Sequence, residues 1–378
     1  MLWRLTFLIL LVVRLAPAQE GPAQQALRGA IEFQQAGRYA EAIDAYRAFL
    51  KAHPEAAPIR SNLGAALAHE GHYAEAIEEY TLALKADPSN YGIRFNLGLA
   101  YYKAGEVANA AREFEAVYAT VPNSDPNHER VALLLGECYL RQGENERVVT
   151  LLDPIATAGP DNQALDYVLG TALLHDGQTE RGTPFIQRLF EKGETAEGHM
   201  LMAYTKYGAQ DKAGAIAELK RAIELNPNLP EAYSLGGRLA FLESDMKGAE
   251  ASFRKCLALD PNNFEGLLWL GTLLRQEGDL QDSEKNLARA VELRQKEVRA
   301  RFQYALLISE EGNDKRAETL LEALIKDDPG YIEAHRTLAT IYFRLDRPDD
   351  GRRERKAAEE MDAVVQKRAL EQGRRLTK

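Results

Sequence analysis

Cysteine is nearly absent from this sequence, and its scarcity excludes two ways of stabilising a fold. The chain of 378 residues contains 2 cysteines, Cys138 and Cys256. Two thiols cannot form the framework of several bridges that holds a disulfide-rich domain, and they cannot supply the four ligands of a cysteine-rich structural zinc site. A core of apolar side chains must hold the fold instead, and the apolar content of 45% is ordinary for a protein with such a core.

Basic residues are outnumbered by acidic ones. The sequence has 47 Lys and Arg residues against 57 Asp and Glu residues, which gives a formal net charge of −10. Because phosphate groups are bound mainly by cationic side chains, a general nucleic-acid-binding role is not expected, and no nucleic-acid partner is predicted.

A long hydrophobic run is also missing. The mainly apolar segment 5–13 has nine residues, whereas a membrane-spanning helix needs about 20. Arg4 precedes this segment, and Ala16-Pro17-Ala18 follows it with the small residues that signal peptidase accepts. Residues 1–18 therefore read as a cleaved signal peptide and residues 19–22 as a short leader. The chain is predicted to be exported, periplasmic or secreted, without a transmembrane span after cleavage.

Arg14 is unusual so close to a cleavage site. The alternative interpretation of the same segment is therefore an uncleaved N-terminal membrane anchor.

What the chain does have is a period of 34 residues. The segment 37–43, Gly-Arg-Tyr-Ala-Glu-Ala-Ile, returns as Gly-His-Tyr-Ala-Glu-Ala-Ile at 71–77, and Pro54, Pro88 and Pro122 keep the same step. Extending the register along the chain gives ten repeats. They start at Ala23, Ala57, Tyr91, Glu129, Gln163, Ala196, Pro230, Phe264, Val298 and Ile332.

This register resembles the tetratricopeptide repeat family, whose unit carries Trp-x2-Leu-Gly-x2-Tyr, then Ala-x3-Phe, then Pro. The site reads Leu-Gly in five of the repeats, at 63–64, 97–98, 135–136, 169–170 and 270–271. A small residue stands at its second position in all ten, where a bulky side chain would overpack the two helices of a repeat.

The resemblance implies an all-α fold, a right-handed superhelical solenoid of antiparallel helix pairs. Ten repeats would occupy residues 23–365, with a possible hinge near 192–198, where Glu194 replaces the expected proline. Residues 366–378 form a basic C-terminal tail that continues the capping helix.

Glycine clusters fall inside helical hairpins rather than in the strand–turn–helix setting of a phosphate loop, and the 7 histidines are scattered. The sequence therefore predicts no enzyme, no cofactor and no metal site.

In the tetratricopeptide family the first helix of each repeat lines a concave groove, and side chains at its second, fifth, sixth, ninth, twelfth and thirteenth positions face the ligand.

Carrying all of these positions except the second to this chain gives the candidate partner-binding residues. They are Arg28, Phe95, Tyr102, Tyr167, Tyr204, Tyr207, Arg238, Phe241, Trp269, Arg275, Phe302, Arg336 and Phe343. This aromatic and cationic set fits an extended peptide with acidic and apolar side chains. Arg275 also stands at a helix C-terminus, where a cation offsets the helix dipole whether or not a ligand binds.

The predicted function is a non-catalytic scaffold or adaptor of the cell envelope that binds a protein or peptide segment in its concave groove. The alternative is a structural subunit of an envelope assembly, such as pilus, secretion or polysaccharide export machinery. The sequence leaves the oligomeric state open.

Overall fold

The computed structural model describes residues 21–123, 125–158, 162–191 and 193–376. This part of the chain contains twenty α-helices and no β-strand. The first helices of successive repeats are α1 (Pro22–Gln35), α3 (Ala57–His69), α5 (Tyr91–Lys103), α7 (His128–Gln142), α9 (Gln163–His175), α11 (Ala196–Gly208), α13 (Pro230–Leu242), α15 (Phe264–Glu277), α17 (Val298–Glu310) and α19 (Ile332–Arg344). The second helices are α2 (Tyr39–Ala52), α4 (Tyr73–Ala86), α6 (Val107–Tyr118), α8 (Asn145–Ala158), α10 (Thr179–Glu191), α12 (Lys212–Leu225), α14 (Met246–Leu259), α16 (Leu280–Leu293), α18 (Asp314–Asp327) and α20 (Pro348–Leu376).

The chain divides into two compact parts between Thr205 and Lys206, inside α11. We call them the N-terminal half and the C-terminal half. In each half, helices pack as pairs and successive pairs stack, so the predicted all-α solenoid of helix pairs is confirmed. The hinge expected at 192–198 precedes this division and stays a prediction, and the predicted signal peptide at 1–18 lies outside the described residues.

Several hairpins are closed by a large side chain on the second helix that lies against a small residue on the first. A Cβ atom added to Gly98 would stand 2.7 Å from Cε1 of Phe114, which is fully buried. At the same point in another repeat, the hydroxyl of Ser283 donates a hydrogen bond to the carbonyl oxygen of Gly271 over 2.7 Å. The recurring small sites thus let helix backbones approach closely, as the repeat pattern predicts.

The turn between the two helices of a repeat uses a left-handed residue. Seven glycines at this position have a positive φ: Gly37, Gly71, Gly105, Gly143, Gly177, Gly278 and Gly312. Gln210, Ser244 and Asp346 replace glycine in three repeats, yet they keep the same conformation with φ of 63°, 64° and 58°. The turn geometry is therefore imposed by hairpin packing rather than by glycine alone.

A polar side chain near the start of a first helix ties each of several repeats to the loop before it. Arg60 donates to the carbonyl oxygen of Pro54 at 2.9 Å and pairs with Glu79 at 2.7 Å. Arg94 repeats this arrangement one period later. His335 takes the same place in the last repeat, between the carbonyl of Pro329 and the carboxylate of Glu354. These contacts hold the preceding loop, the first helix and the second helix of a repeat together.

The last helix, α20, covers the end of the C-terminal half by packing on α19. It runs from Pro348 to Leu376 and is longer than any other described helix. Among the described residues, no helix has both the length and the apolar content that a bilayer crossing requires. Both cysteines are free and buried, and burial raises the pKa of each thiol, so neither resembles a reactive cysteine.

Candidate partner-binding surface

First helices of successive repeats touch one another directly. α3 contacts α5 and α7 contacts α9 in the N-terminal half, while α13, α15, α17 and α19 contact in series in the C-terminal half. The side chains on the outward surface of these helices form what we call the first-helix face, described separately for each half. The candidate residues predicted from the sequence lie on these helices.

In the N-terminal half, two candidates are buried and engaged with the fold. Phe95 is 7% exposed, and its ring lies 5.8 Å from that of Phe114. Tyr102 is also 7% exposed and donates its hydroxyl to Oε2 of Glu137 over 3.0 Å. Both rings are largely covered by neighbouring repeats, so they offer little surface to a ligand.

Glu137, the acceptor of the Tyr102 hydroxyl, has a carboxyl group whose pKa is shifted by its surroundings. Burial raises the pKa of its carboxyl, while the Tyr102 hydrogen bond and the charges of Arg141 and Lys103 act in the opposite direction. Desolvation also lowers the pKa of Lys103. The arrangement is a partly desolvated acid near two cations, which can hold a proton or a polar group.

Three further candidates in the N-terminal half are more accessible. Arg28 is exposed on α1, and Tyr167 is half-buried on α9. Tyr204 is half-buried and meets the ring of His175 edge-on at 5.0 Å. These residues lie on three different helices, α1, α9 and α11.

The C-terminal half brings four candidates together. The guanidinium of Arg238 lies close to two rings, 4.8 Å from the centroid of Tyr207 and 5.2 Å from that of Trp269. Phe241, one turn after Arg238, lies 5.4 Å from Trp269. Three successive first helices, α11, α13 and α15, therefore contribute to one aromatic and cationic cluster.

Sequence reasoning missed one member of this cluster. Arg299 is exposed on α17, and its guanidinium lies 5.8 Å from the centroid of Trp269. It is the second residue of its repeat, the position that was left out when the family pattern was carried to this chain. Including that position would have identified it.

Other predicted cations are already paired. Arg275 forms an ion pair with Glu310 and contacts Gln303, and Arg336 forms an ion pair with Asp362 of α20. Both guanidinium groups are already paired with carboxylates of the protein. They therefore attract an acidic ligand less than the sequence pattern alone indicates.

The remaining two aromatic candidates pack within the fold. Phe302 is 7% exposed and meets Tyr331 at 5.2 Å. Phe343 lies against Gly351 of α20, where an added Cβ would stand 2.8 Å from its ring, and Arg355 covers the ring at 4.8 Å. Phe343 therefore helps to seat the last helix.

A separate, open cavity of about 990 Å³ lies in the N-terminal half, and its walls come from α6, α7 and α8. Tyr139 in its wall donates to Glu115 at 2.9 Å, and Arg147 joins both groups. These polar groups satisfy one another. Within the described part of the chain, no three His, Cys, Asp or Glu side chains converge as metal ligands.

Comparison with known proteins identifies the repeat. Three family models described as tetratricopeptide repeat match the chain, one at residues 27–91 and 200–264, a second at 67–124 and 104–165, and a third at 252–285. Together these matches cover more than half of the sequence. A comparison with curated proteins gave no match.

Two solved structures are similar over long stretches. A tetratricopeptide repeat protein from Parabacteroides merdae is 16% identical with a TM-score of 0.57, covering 67% of this chain and 98% of that one. A chain of the APC/C hetero-tetramer Cut9–Hcn1 is 13% identical with a TM-score of 0.54, covering 90% of this chain and 87% of that one. At these identities the similarity shows the fold alone.

Proposed function

Because this chain belongs to the tetratricopeptide repeat proteins, a family that binds protein or peptide partners, we propose that it is a non-catalytic interaction scaffold of the cell envelope. It would hold an extended segment of its partner along the first-helix face. Fold alone does not define a role, so the proposal depends on what this face displays.

The observation that carries the proposal is the cluster around Trp269. Aromatic rings from α11, α13 and α15 gather there with cationic side chains, and Trp269 and Phe241 are only partly buried against the core. Aromatic residues and arginine are the residue types that carry most of the binding energy at protein interfaces. An extended peptide laid across several repeats would meet this cluster.

The envelope location rests on residues 1–18, which lie outside the described structure. Expression of the full chain in a bacterial host, followed by fractionation and N-terminal sequencing, tests it. A mature protein that begins at Gln19 supports export with cleavage. An intact Met1 in the membrane fraction supports the N-terminal anchor instead.

The interaction role is tested by affinity purification of residues 19–378 from native envelope extracts after brief chemical crosslinking. We expect a protein partner that is recovered in stoichiometric amount. Recovery only as part of a large, stable membrane complex would identify an assembly subunit rather than an adaptor, and recovery of no protein would contradict the scaffold proposal.

A further inference from the structure

We propose that Arg238 and Arg299, on either side of Trp269, form an anchor for an acidic side chain, Asp or Glu, of the bound partner segment. The inference rests on the proposed scaffold function and specifies its ligand chemistry. The anchor is defined as Tyr207, Arg238, Phe241, Trp269 and Arg299.

The anchor is a ladder of alternating rings and cations across four successive first helices. Tyr207 of α11, Arg238 of α13, Trp269 of α15 and Arg299 of α17 follow one another at ring-to-guanidinium distances of 4.8, 5.2 and 5.8 Å. Each step moves to the next repeat, so the ladder runs diagonally over the first-helix face of the C-terminal half.

The two cations of the ladder are not neutralised by the fold. Arg238 and Arg299 form neither an ion pair nor a hydrogen bond with any other described residue, whereas Arg275, Arg336 and Arg344 all pair with an acid. Glu265, an acid on the same helix as Trp269, accepts a hydrogen bond from the indole N–H of Trp269 over 3.0 Å. Two cationic groups therefore remain available for an incoming anion.

Stacking decides how Arg238 can be approached. Because two rings lie close to the guanidinium, a ligand would reach Arg238 through N–H donors in the guanidinium plane. Its Nε–H is buried and has no acceptor, so the terminal nitrogens are the donors a ligand would use. A carboxylate is the group that matches two parallel N–H donors in one plane.

The environment favours a carboxylate flanked by an apolar residue. Rings beside a guanidinium reduce its hydration, and a partly desolvated cation binds a carboxylate more strongly than an exposed one. Phe241 and Trp269 present the adjoining apolar surface. The preferred segment would therefore carry Asp or Glu beside a bulky apolar side chain.

Trp269 makes the test site-specific, because it is the only tryptophan in residues 19–378; the other of the 2 tryptophans is Trp3. We would select binders to the immobilised mature chain from a phage library of random dodecapeptides. The most enriched peptide would then be synthesised without tryptophan, and its binding followed by the fluorescence of Trp269.

Four forms of that peptide separate the possible sources of negative charge. The free acid and the C-terminal amide distinguish a side-chain carboxylate from a terminal one. Replacement of each Asp or Glu by Asn or Gln removes the side-chain charge in both forms. We expect the amidated acidic peptide to bind as well as the free acid, and the neutral peptides to bind about tenfold more weakly or worse.

Matched variants locate the charge on the protein. Arg238→Gln and Arg299→Gln should each weaken binding of the acidic peptide by about tenfold and have little effect on the neutral one. The control removes the same charge away from the first-helix face: Arg254→Gln on α14, where Glu250 already pairs with the arginine. This control should leave affinity within about twofold.

Enriched peptides that lack acidic residues, or equal affinity of acidic and neutral peptides, would overturn the anchor, as would unchanged binding to Arg238→Gln and Arg299→Gln. In that case a partner recovered from envelope extracts by wild-type protein and by the double variant alike would leave the scaffold function standing. If the peptides show no acidic preference and the envelope extracts also yield no partner, both the anchor and the scaffold function would be contradicted.

Discussion

The ring of Phe253 lies directly against Gly237, so that a Cβ atom on Gly237 would stand 2.6 Å from Cε1 of Phe253. The neighbouring Gly236 on the same helix has no atom within 4 Å of such a Cβ. The contact between Gly237 and Phe253 closes the hairpin of α13 and α14, and Phe253 has no exposed surface. The same contact recurs between Gly64 and Tyr80.

This pair of adjacent glycines gives the first prediction. Gly237→Ala should lower the free energy of unfolding by about 1–3 kcal/mol, because Phe253 must leave its rotamer or the helices must separate. Gly236→Ala should raise it by about 0.5–1 kcal/mol, because alanine is the better helix former and meets no neighbour. Urea denaturation followed by circular dichroism measures both, and equal effects would contradict the packing argument.

The second prediction concerns two of the three turns without glycine. Gln210 and Ser244 hold φ of 63° and 64°, a conformation that side chains with a Cβ rarely adopt. Gln210→Gly and Ser244→Gly should each stabilise the protein by about 0.5–1 kcal/mol. The converse control is Gly278→Ala at φ 86°, which should destabilise it by a similar amount although space is open there. Thermal unfolding midpoints would show whether the signs are opposite.

The third prediction concerns a buried ion pair in the N-terminal half. Arg188 donates to Asp166 at 2.5 to 3.1 Å, and Asp166 is 3% exposed. The hydrogen bonds to Asp166 raise the pKa of Arg188. Arg188→Met should lower the free energy of unfolding by about 2–3 kcal/mol, because it leaves an unpaired buried carboxylate.

Adding Asp166→Leu to Arg188→Met should restore much of that loss, since the buried charge is then removed as well. The exposed pair of Arg254 and Glu250 is the control, and Glu250→Gln should change stability by less than about 0.5 kcal/mol. A double variant no more stable than Arg188→Met would show that the carboxylate was not the source of the loss.

The fourth prediction is a pH dependence from Glu137. Because burial raises the pKa of this carboxyl in the folded protein, the folded state binds the proton more tightly than the unfolded state does. The stability of wild type relative to Glu137→Gln should therefore be greatest below pH of about 4.3, the ordinary value for Glu, and should fall as pH rises through the folded pKa.

Tyr102→Phe sharpens this test. The Tyr102 hydroxyl lowers the pKa of Glu137 by donating to its carboxylate, so its removal should raise that pKa further. The decline in stability with pH should then be steeper and extend to higher pH. Parallel pH profiles for wild type and Glu137→Gln would contradict the assignment.

The repeat architecture was predictable because its determinants are local and periodic. Small residues such as Gly98, the turn glycines and the prolines recur at fixed spacing, and each acts within its own hairpin or the next. Even Gln210, which breaks the glycine pattern, keeps the turn, since packing on both sides dictates the backbone there.

The candidate site was only partly predictable, because its charges depend on side chains from other repeats. Arg336 and Arg238 both stand at groove positions of the repeat pattern, the fifth and the ninth, yet Asp362 of α20 pairs with Arg336 and no described acid pairs with Arg238. Phe343 also turns to α20. The prediction of a partner-binding groove itself remains to be tested.

The most direct test of the account is to find which face touches the partner. A photo-crosslinking phenylalanine analogue would replace Phe241 in the anchor or, as a control, Ile216 on the second helix α12, which is 45% exposed. Irradiation in native envelope extracts should crosslink the partner from position 241 and not from position 216. Crosslinking from 216 with none from 241 would place the partner on the opposite helices and contradict binding on the first-helix face.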